Sequence, residues 1–121
     1  MAYSILIVED EQAISRVLDL KLKQAGIVTT IANAGNQALE LVKTQNYDCV
    51  LLDLILPEVD GFTILEAIRA KNQATKVIVM TNLGQPEDRK RVQDLGVSAY
   101  YVKSEMSISN LIDSIKTILE T

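Results

Sequence analysis

Histidine is missing altogether from the 121 residues. That excludes His-ligated metals, Ser-His-Asp chemistry and a phosphohistidine carried on this chain. There is one cysteine, Cys49, so no internal disulfide and no thiolate metal cluster can form. Its lone presence fits a reducing compartment. No apolar run approaches the roughly 20 residues of a membrane span. A leader with a basic start and an apolar stretch is also missing, since Ile5-Leu6-Ile7-Val8 runs straight into Glu9-Asp10-Glu11. The expectation is a cytoplasmic chain away from membranes. Positive charge is in deficit, with 12 Lys and Arg against 16 Asp and Glu. That balance argues against direct nucleic-acid binding, which needs a basic footprint. The five glycines are dispersed and form neither G-x-x-x-x-G-K-[ST] nor G-x-G-x-x-G, so no phosphate-cradling nucleotide loop is present.

What is present is a strict alternation. Apolar, β-branched runs stand at Ser4–Val8, Ile27–Ala32, Cys49–Leu54, Lys76–Thr81 and Ala99–Val102. Runs of this length read as strands buried on both faces. Between them lie helical patterns. Ile14, Val17, Leu18 and Leu22 recur at helix spacing in Glu11–Ala25, and Ile108, Leu111, Ile112, Ile115 and Leu119 in Ser107–Glu120, with Ser107 as N-cap. Shorter helices are expected over Gly35–Thr44 and Gly61–Lys71. Pro86–Leu95 carries Glu87, Asp88, Arg89, Lys90 and Arg91 with few apolar anchors, so this helix should pack lightly. Apolar residues make up 48% of the chain, enough for one core. Five β-α units imply an α/β fold with a doubly wound parallel sheet and helices on both faces. No linker or repeat interrupts it, so residues 1–121 are expected to form one domain, with the last helix closing it and no output domain within these residues.

The chemistry collects at one end of the strands. The first ends in Glu9-Asp10, the third runs into Asp53, the fourth ends in Thr81 and the fifth reaches Lys103. Sites in open α/β sheets form beyond the carboxyl ends of strands. Two carboxylates about 4 Å apart repel by roughly 4 kcal/mol at an effective dielectric near 20. Three cannot all stay ionised beside one Lys without a raised pKa or a bound cation. A hard divalent ion with oxygen ligands, Mg²⁺, suits the set. A carboxylate beside Mg²⁺, a Lys and a Thr can attack phosphorus, and Asp53 would become an aspartyl phosphate. Each residue alone has an ordinary use: Asp53 as a turn former or N-cap, Glu9-Asp10-Glu11 as helix-dipole partners, Thr81 as structure, Lys103 as surface charge. Their common edge favours the site. The acidic first loop would also repel a flavin or nucleotide phosphate.

Four segments carry a resemblance: Ile5-Leu6-Ile7-Val8-Glu9-Asp10-Glu11, Leu51-Leu52-Asp53-Leu54-Ile55-Leu56-Pro57-Glu58-Val59-Asp60-Gly61, Val77-Ile78-Val79-Met80-Thr81 and Ala99-Tyr100-Tyr101-Val102-Lys103. Over essentially its whole length the chain resembles a receiver domain of a two-component response regulator, of the single-domain chemotaxis type. The resemblance implies a flavodoxin-like sheet in the order 2-1-3-4-5. It implies that Asp53 is the phosphoacceptor, and that Asp10, Glu9, Asp53 and the backbone carbonyl of Ile55 hold Mg²⁺. Thr81 and Lys103 would hold phosphoryl oxygens, and Thr81 with Tyr100 would form the switch. A histidine kinase or phosphotransfer protein would supply the phosphoryl group. Output would pass through the face of the fourth helix, fifth strand and fifth helix, carrying Arg89, Lys90, Arg91 and Asp94, to a downstream protein or a second copy.

Two positions depart from the family pattern. Ser104 follows Lys103 where the family has a Pro after a cis bond, and such a bond before Ser104 would cost about 2.5–4 kcal/mol. Asn82 stands where a small residue is usual. Ile55 and Leu83 are apolar beside the site and are expected to hinder an attacking water. These departures leave a second reading, a receiver-like module that binds without phosphorylation. A metal-dependent phosphatase would place a second Asp shortly after the first, whereas Ile55 stands two after Asp53.

Overall fold

The computed structural model describes residues 2–121. In chain order the elements are β1 Ser4–Val8, α1 Gln12–Gln24, β2 Val28–Ala32, α2 Gly35–Thr44, β3 Cys49–Leu52, α3 Gly61–Lys71, β4 Lys76–Thr81, α4 Pro86–Asp94, β5 Ala99–Val102 and α5 Ile108–Leu119. A short 3₁₀ turn, Lys103–Glu105, follows β5. The five strands form one parallel sheet in the order β2-β1-β3-β4-β5. Strand pairing aligns Val8 with Leu52 and Leu52 with Val79, and sets Thr81 against Val102. Glu9, Asp53 and Lys103 therefore emerge in neighbouring rows at one rim, beside Thr81.

Alternation along each strand builds two cores. Leu6, Val8, Val50, Leu52, Val77 and Val79 face α2, α3 and α4. Ile5, Ile7, Cys49, Leu51, Ile78 and Met80 face α1 and α5. β1, β3 and β4 are thus buried on both faces, as their unbroken apolar runs require. Burial pushes the Cys49 thiol up to about 12, so it is inert in the folded state. No helix among the described residues is long and apolar enough to cross a membrane.

Strand and helix ends differ from the sequence reading by a residue or two, for identifiable reasons. β2 starts at Val28 because Ile27 is spent on α1. The Ile27 amide donates to Leu22 at 3.0 Å and the Gly26 amide to Lys23 at 3.0 Å, with Gly26 at φ 81°. This is a Schellman closure, which needs a residue at ease in the left-handed region. β3 stops at Leu52 because the carbonyl of Leu54 accepts from the Gly61 amide at 3.0 Å and turns the chain into α3. Ser107 caps α5 as expected, accepting from the Asn110 amide.

α4 packs lightly, with Val92 its one buried residue. Two arginines supplement that contact. Arg91 lies 4.0 Å over the Phe62 ring of α3, and Arg89 lies 4.8 Å over the Tyr100 ring of β5. Arg91 therefore leans on α3 instead of contributing to the α4–β5–α5 face. The C-terminal end of α4 is held by Arg69 of α3, which is 7% exposed. Its guanidinium donates to the carbonyls of Leu95, Thr75 and Gly96 at 2.7, 2.7 and 2.8 Å, and more weakly to Asn72 and Gln73. Burial pulls its pKa down, yet an arginine stays charged. The partial negative charge at the carbonyl ends of α3 and α4 offsets its desolvation. Arg69→Met should lower unfolding free energy in urea by about 2 kcal/mol, because the Leu95, Thr75 and Gly96 carbonyls lose a charged donor. A loss below about 1 kcal/mol, the scale of an ordinary surface substitution, would show that water replaces the guanidinium at no cost.

Candidate phosphoryl and metal site

Asp53 stands one residue past β3 and is 3% exposed. Its amide continues the sheet by donating to the Val8 carbonyl at 3.0 Å. Its Oδ1 accepts from the Ile55 amide at 3.0 Å, and its Oδ2 accepts from Lys103 Nζ at 2.6 Å. Ile55 is half exposed at the rim, two residues past Asp53. Gly61 permits this arrangement. A Cβ there would fall 2.5 Å from both the Asp53 carbonyl oxygen and Leu54 Cα, so only glycine lets α3 start this close to Asp53.

Lys103 is the one cation among the described residues that reaches these carboxylates, with its side chain 7% exposed. Besides Asp53, it contacts Glu9 Oε1 at 2.6 Å and donates to Glu11 Oε1 at 3.2 Å. The Lys103–Ser104 bond is trans, as is every peptide bond of the described residues, and the ammonium still reaches Asp53. Burial opposes its charge, but the hydrogen bond to Asp53 and the close Glu9 carboxylate outweigh that and hold its pKa above the usual lysine range.

Glu9 is fully buried. Its Oε2 accepts from the Glu11 amide at 3.1 Å, and its carbonyl accepts from Asn33 Nδ2 at 2.8 Å. Its Oε1 makes no hydrogen bond and faces only the Lys103 ammonium, at 2.6 Å, as an ion contact. Burial raises the Glu9 pKa to about 7 against the opposing pull of Lys103. Glu9, the exposed Asp10 and Asp53 each bring a carboxylate oxygen within 4.8 Å of the others. A buried, unbonded carboxylate oxygen in a set of hard oxygen donors fits a divalent cation such as Mg²⁺.

Thr81 is fully buried, and its hydroxyl accepts from the Leu83 amide at 3.3 Å. It makes no hydrogen bond to Asp53 or Lys103. Tyr100 lies apart from the carboxylates, half-buried, and its hydroxyl donates to the Leu83 carbonyl. Burial raises its pKa, with Asp88 adding to the effect. Leu83 therefore joins Thr81, through its amide, to Tyr100, through its carbonyl. The sequence marks Leu83 only as an apolar neighbour, and backbone bonding leaves no trace in residue type. Glu11, as a partner of Lys103, and Asn33, as a clasp on Glu9, also escape sequence reasoning. Only the run of acids gives a hint of Glu11.

The raised Glu9 pKa has a signed consequence. An acid whose folded pKa exceeds its unfolded value binds more protons when folded, so stability falls as pH rises between the two. In metal-free protein, unfolding free energy should drop by up to about 3 kcal/mol from pH 4.5 to 7, the unfolded and folded values for this group. Urea titrations over that range should show the slope, and Glu9→Gln should abolish it. An equal slope in Glu9→Gln would assign the effect to other groups.

Comparison with known proteins agrees with this geometry. The response regulator receiver domain family matches residues 5–116. The transcriptional regulatory protein CusR of Escherichia coli K12 is 34% identical over 115 residues, which cover 95% of this chain and 50% of CusR. The chain thus spans about half the length of that curated relative. A CheY-like receiver domain from Methanospirillum hungatei superposes with a TM-score of 0.93 at 26% identity, covering 99% of this chain and 95% of that one. The receiver domain of the sensor histidine kinase PA1611 from Pseudomonas aeruginosa, with a magnesium ion coordinated in its active-site cleft, matches over 100% of both chains at 26% identity and a TM-score of 0.84. With its acidic rim, buried lysine and parallel 2-1-3-4-5 sheet, the chain belongs to the response regulator receiver domain family of two-component signalling.

Proposed function

We propose that Asp53 accepts a phosphoryl group from a phosphohistidine of a partner histidine kinase or phosphotransfer protein, and that the phosphorylated chain signals by binding. The observation that carries this reading is the buried Glu9 Oε1 without a hydrogen bond, beside an Asp53 carboxylate held by the Ile55 amide and Lys103. Glu9, Asp10, Asp53 and the Ile55 carbonyl would hold Mg²⁺, which supplies positive charge to the phosphoryl oxygens when bound. An Asp53 carboxylate oxygen bonds to phosphorus while the P–N bond to the donor breaks, its electron pair leaving with the imidazole. Lys103 turns from carboxylate to phosphoryl oxygen as charge develops there. The Thr81 hydroxyl, now accepting from Leu83, turns to donate to another. This is acceptance and self-catalysed hydrolysis at one residue, with no external substrate turned over.

The Thr81 move releases the Leu83 amide, and Leu83 holds Tyr100. A charge change at Asp53 can thus reach α4 and β5 through one backbone residue. The α4–β5–α5 face, where Arg89 covers Tyr100, is the proposed output surface toward a downstream protein or a second copy. The acidic balance of the chain favours a protein partner over nucleic acid, and cytoplasmic action suits a phosphohistidine donor.

Intact mass after acetyl phosphate and Mg²⁺ should show one added phosphoryl group, lost in Asp53→Ala and with chelator. A folded protein that gains none, and whose α4–β5–α5 resonances ignore beryllofluoride, would move the reading to binding without phosphorylation. Ile55 is half exposed and Leu83 partly buried, and in this reading their apolar side chains hinder an attacking water at Asp53. Ile55→Asn should therefore lose phosphate several-fold faster, by about 1 kcal/mol of barrier. Equal decay rates in the two proteins would remove the apolar screen as the cause of a long-lived state.

A further inference from the structure

The connection from Asp53 to Asp60 carries the Ile55 amide that holds the acceptor. It is fixed at its far end by α3, through the Gly61 amide on the Leu54 carbonyl and the Asp60 side chain on the Thr63 amide. It is fixed in the middle by an element distant in sequence. The Gly35 amide, at the start of α2, donates to the Pro57 carbonyl at 3.2 Å. The next residue, Asn36, donates through Nδ2 to Glu58 Oε2 at 2.5 Å.

Glu58 has φ 73°, and is the one non-glycine residue of positive φ among the described residues. A glutamate does not rest there by preference, so its surroundings hold it. Gly35 shows how close the contact is. A Cβ at that position would lie 2.1 Å from the Val59 carbonyl oxygen and 2.7 Å from Val59 Cβ. Any side chain at residue 35 would push the Pro57–Val59 turn away.

We propose that the first turn of α2, through Gly35 and Asn36, is a positioning element for the phosphoacceptor: it pins the Pro57–Val59 turn and, with it, the Ile55 amide that orients the Asp53 carboxylate. The inference rests on the reading of Asp53 as acceptor. Gly35 and Asn36 touch neither the carboxylates nor Lys103, and act through the backbone between Asp53 and Val59. The position of α2 is thereby tied to the geometry of the acceptor.

The test compares wild type, Asn36→Ala and Asn36→Lys, the last able to donate to Glu58 again. Three quantities are read: Ile55 amide exchange without metal, Mg²⁺ affinity by NMR titration, and the urea midpoint. In Asn36→Ala, Ile55 exchange should rise and Mg²⁺ affinity fall, each by about ten-fold, at an unchanged midpoint. Asn36→Lys should restore both. Gly35→Ala should shift Ile55 exchange in the same direction. Wild-type values in Asn36→Ala would overturn the proposal. So would losses that track a lowered midpoint and resist Asn36→Lys, since these describe general destabilisation. If wild type itself takes up neither Mg²⁺ nor phosphoryl group, the receiver reading fails instead. Ile55 exchange in metal-free protein would still decide whether α2 holds the loop.

Discussion

A single ammonium, Lys103 Nζ, stands 2.6 Å from two nearly buried carboxylates, Glu9 and Asp53, and 3.2 Å from a third, Glu11. At an effective dielectric near 20 each short contact is worth roughly 6 kcal/mol of attraction, much of it offset by the cost of drying the ions. What remains decides the state of the rim. The lysine is too strongly held to lose its proton, and its one charge is too little for its neighbours. Burial accordingly drives Glu9 up to about 7. The rim is therefore short of positive charge, a set of donors that could hold a divalent cation.

That ammonium works only because the sheet delivers its partners together. Parallel pairing aligns the ends of β1, β3, β4 and β5, so residues far apart in sequence leave the core at one rim. The connections then set the details. Gly61 lets α3 begin against the Asp53 backbone, and Gly35 lets α2 begin against the Pro57–Val59 turn. Two glycines without Cβ thus allow two helices to press on the loop that follows Asp53. The loop after Asp53 is thus held by two helices, whereas α4 buries only Val92. Leu83 lies between the two, bonded to Thr81 and to Tyr100.

Much of this is legible in the order of the residues. The apolar runs and helical spacings locate all ten elements, and the few polar residues closing the strands name Glu9, Asp10, Asp53, Thr81 and Lys103 as a group. Light packing of α4 follows from its dense charge. Contacts whose information lies in the backbone are harder to read. The Leu83 bridge uses an amide and a carbonyl that every such residue has. Arg69 looks like a surface charge on α3, yet five carbonyls around two helix ends enclose it. Arg91 looks like part of a charged face, yet the Phe62 ring takes it.

Sequence alone determined the alternation of strand and helix, the two-faced burial of the central strands and the chemical types gathered at their ends. These depend on side-chain polarity and period, which a string of residues states directly. Tertiary structure decided that Lys103 meets Glu9, Glu11 and Asp53 together, that Glu9 Oε1 makes no hydrogen bond, and that α2 reaches the Pro57–Val59 turn. Those outcomes depend on close contacts between segments far apart in the chain. They are set by sheet register and by the room that two glycines leave, and no local pattern encodes them.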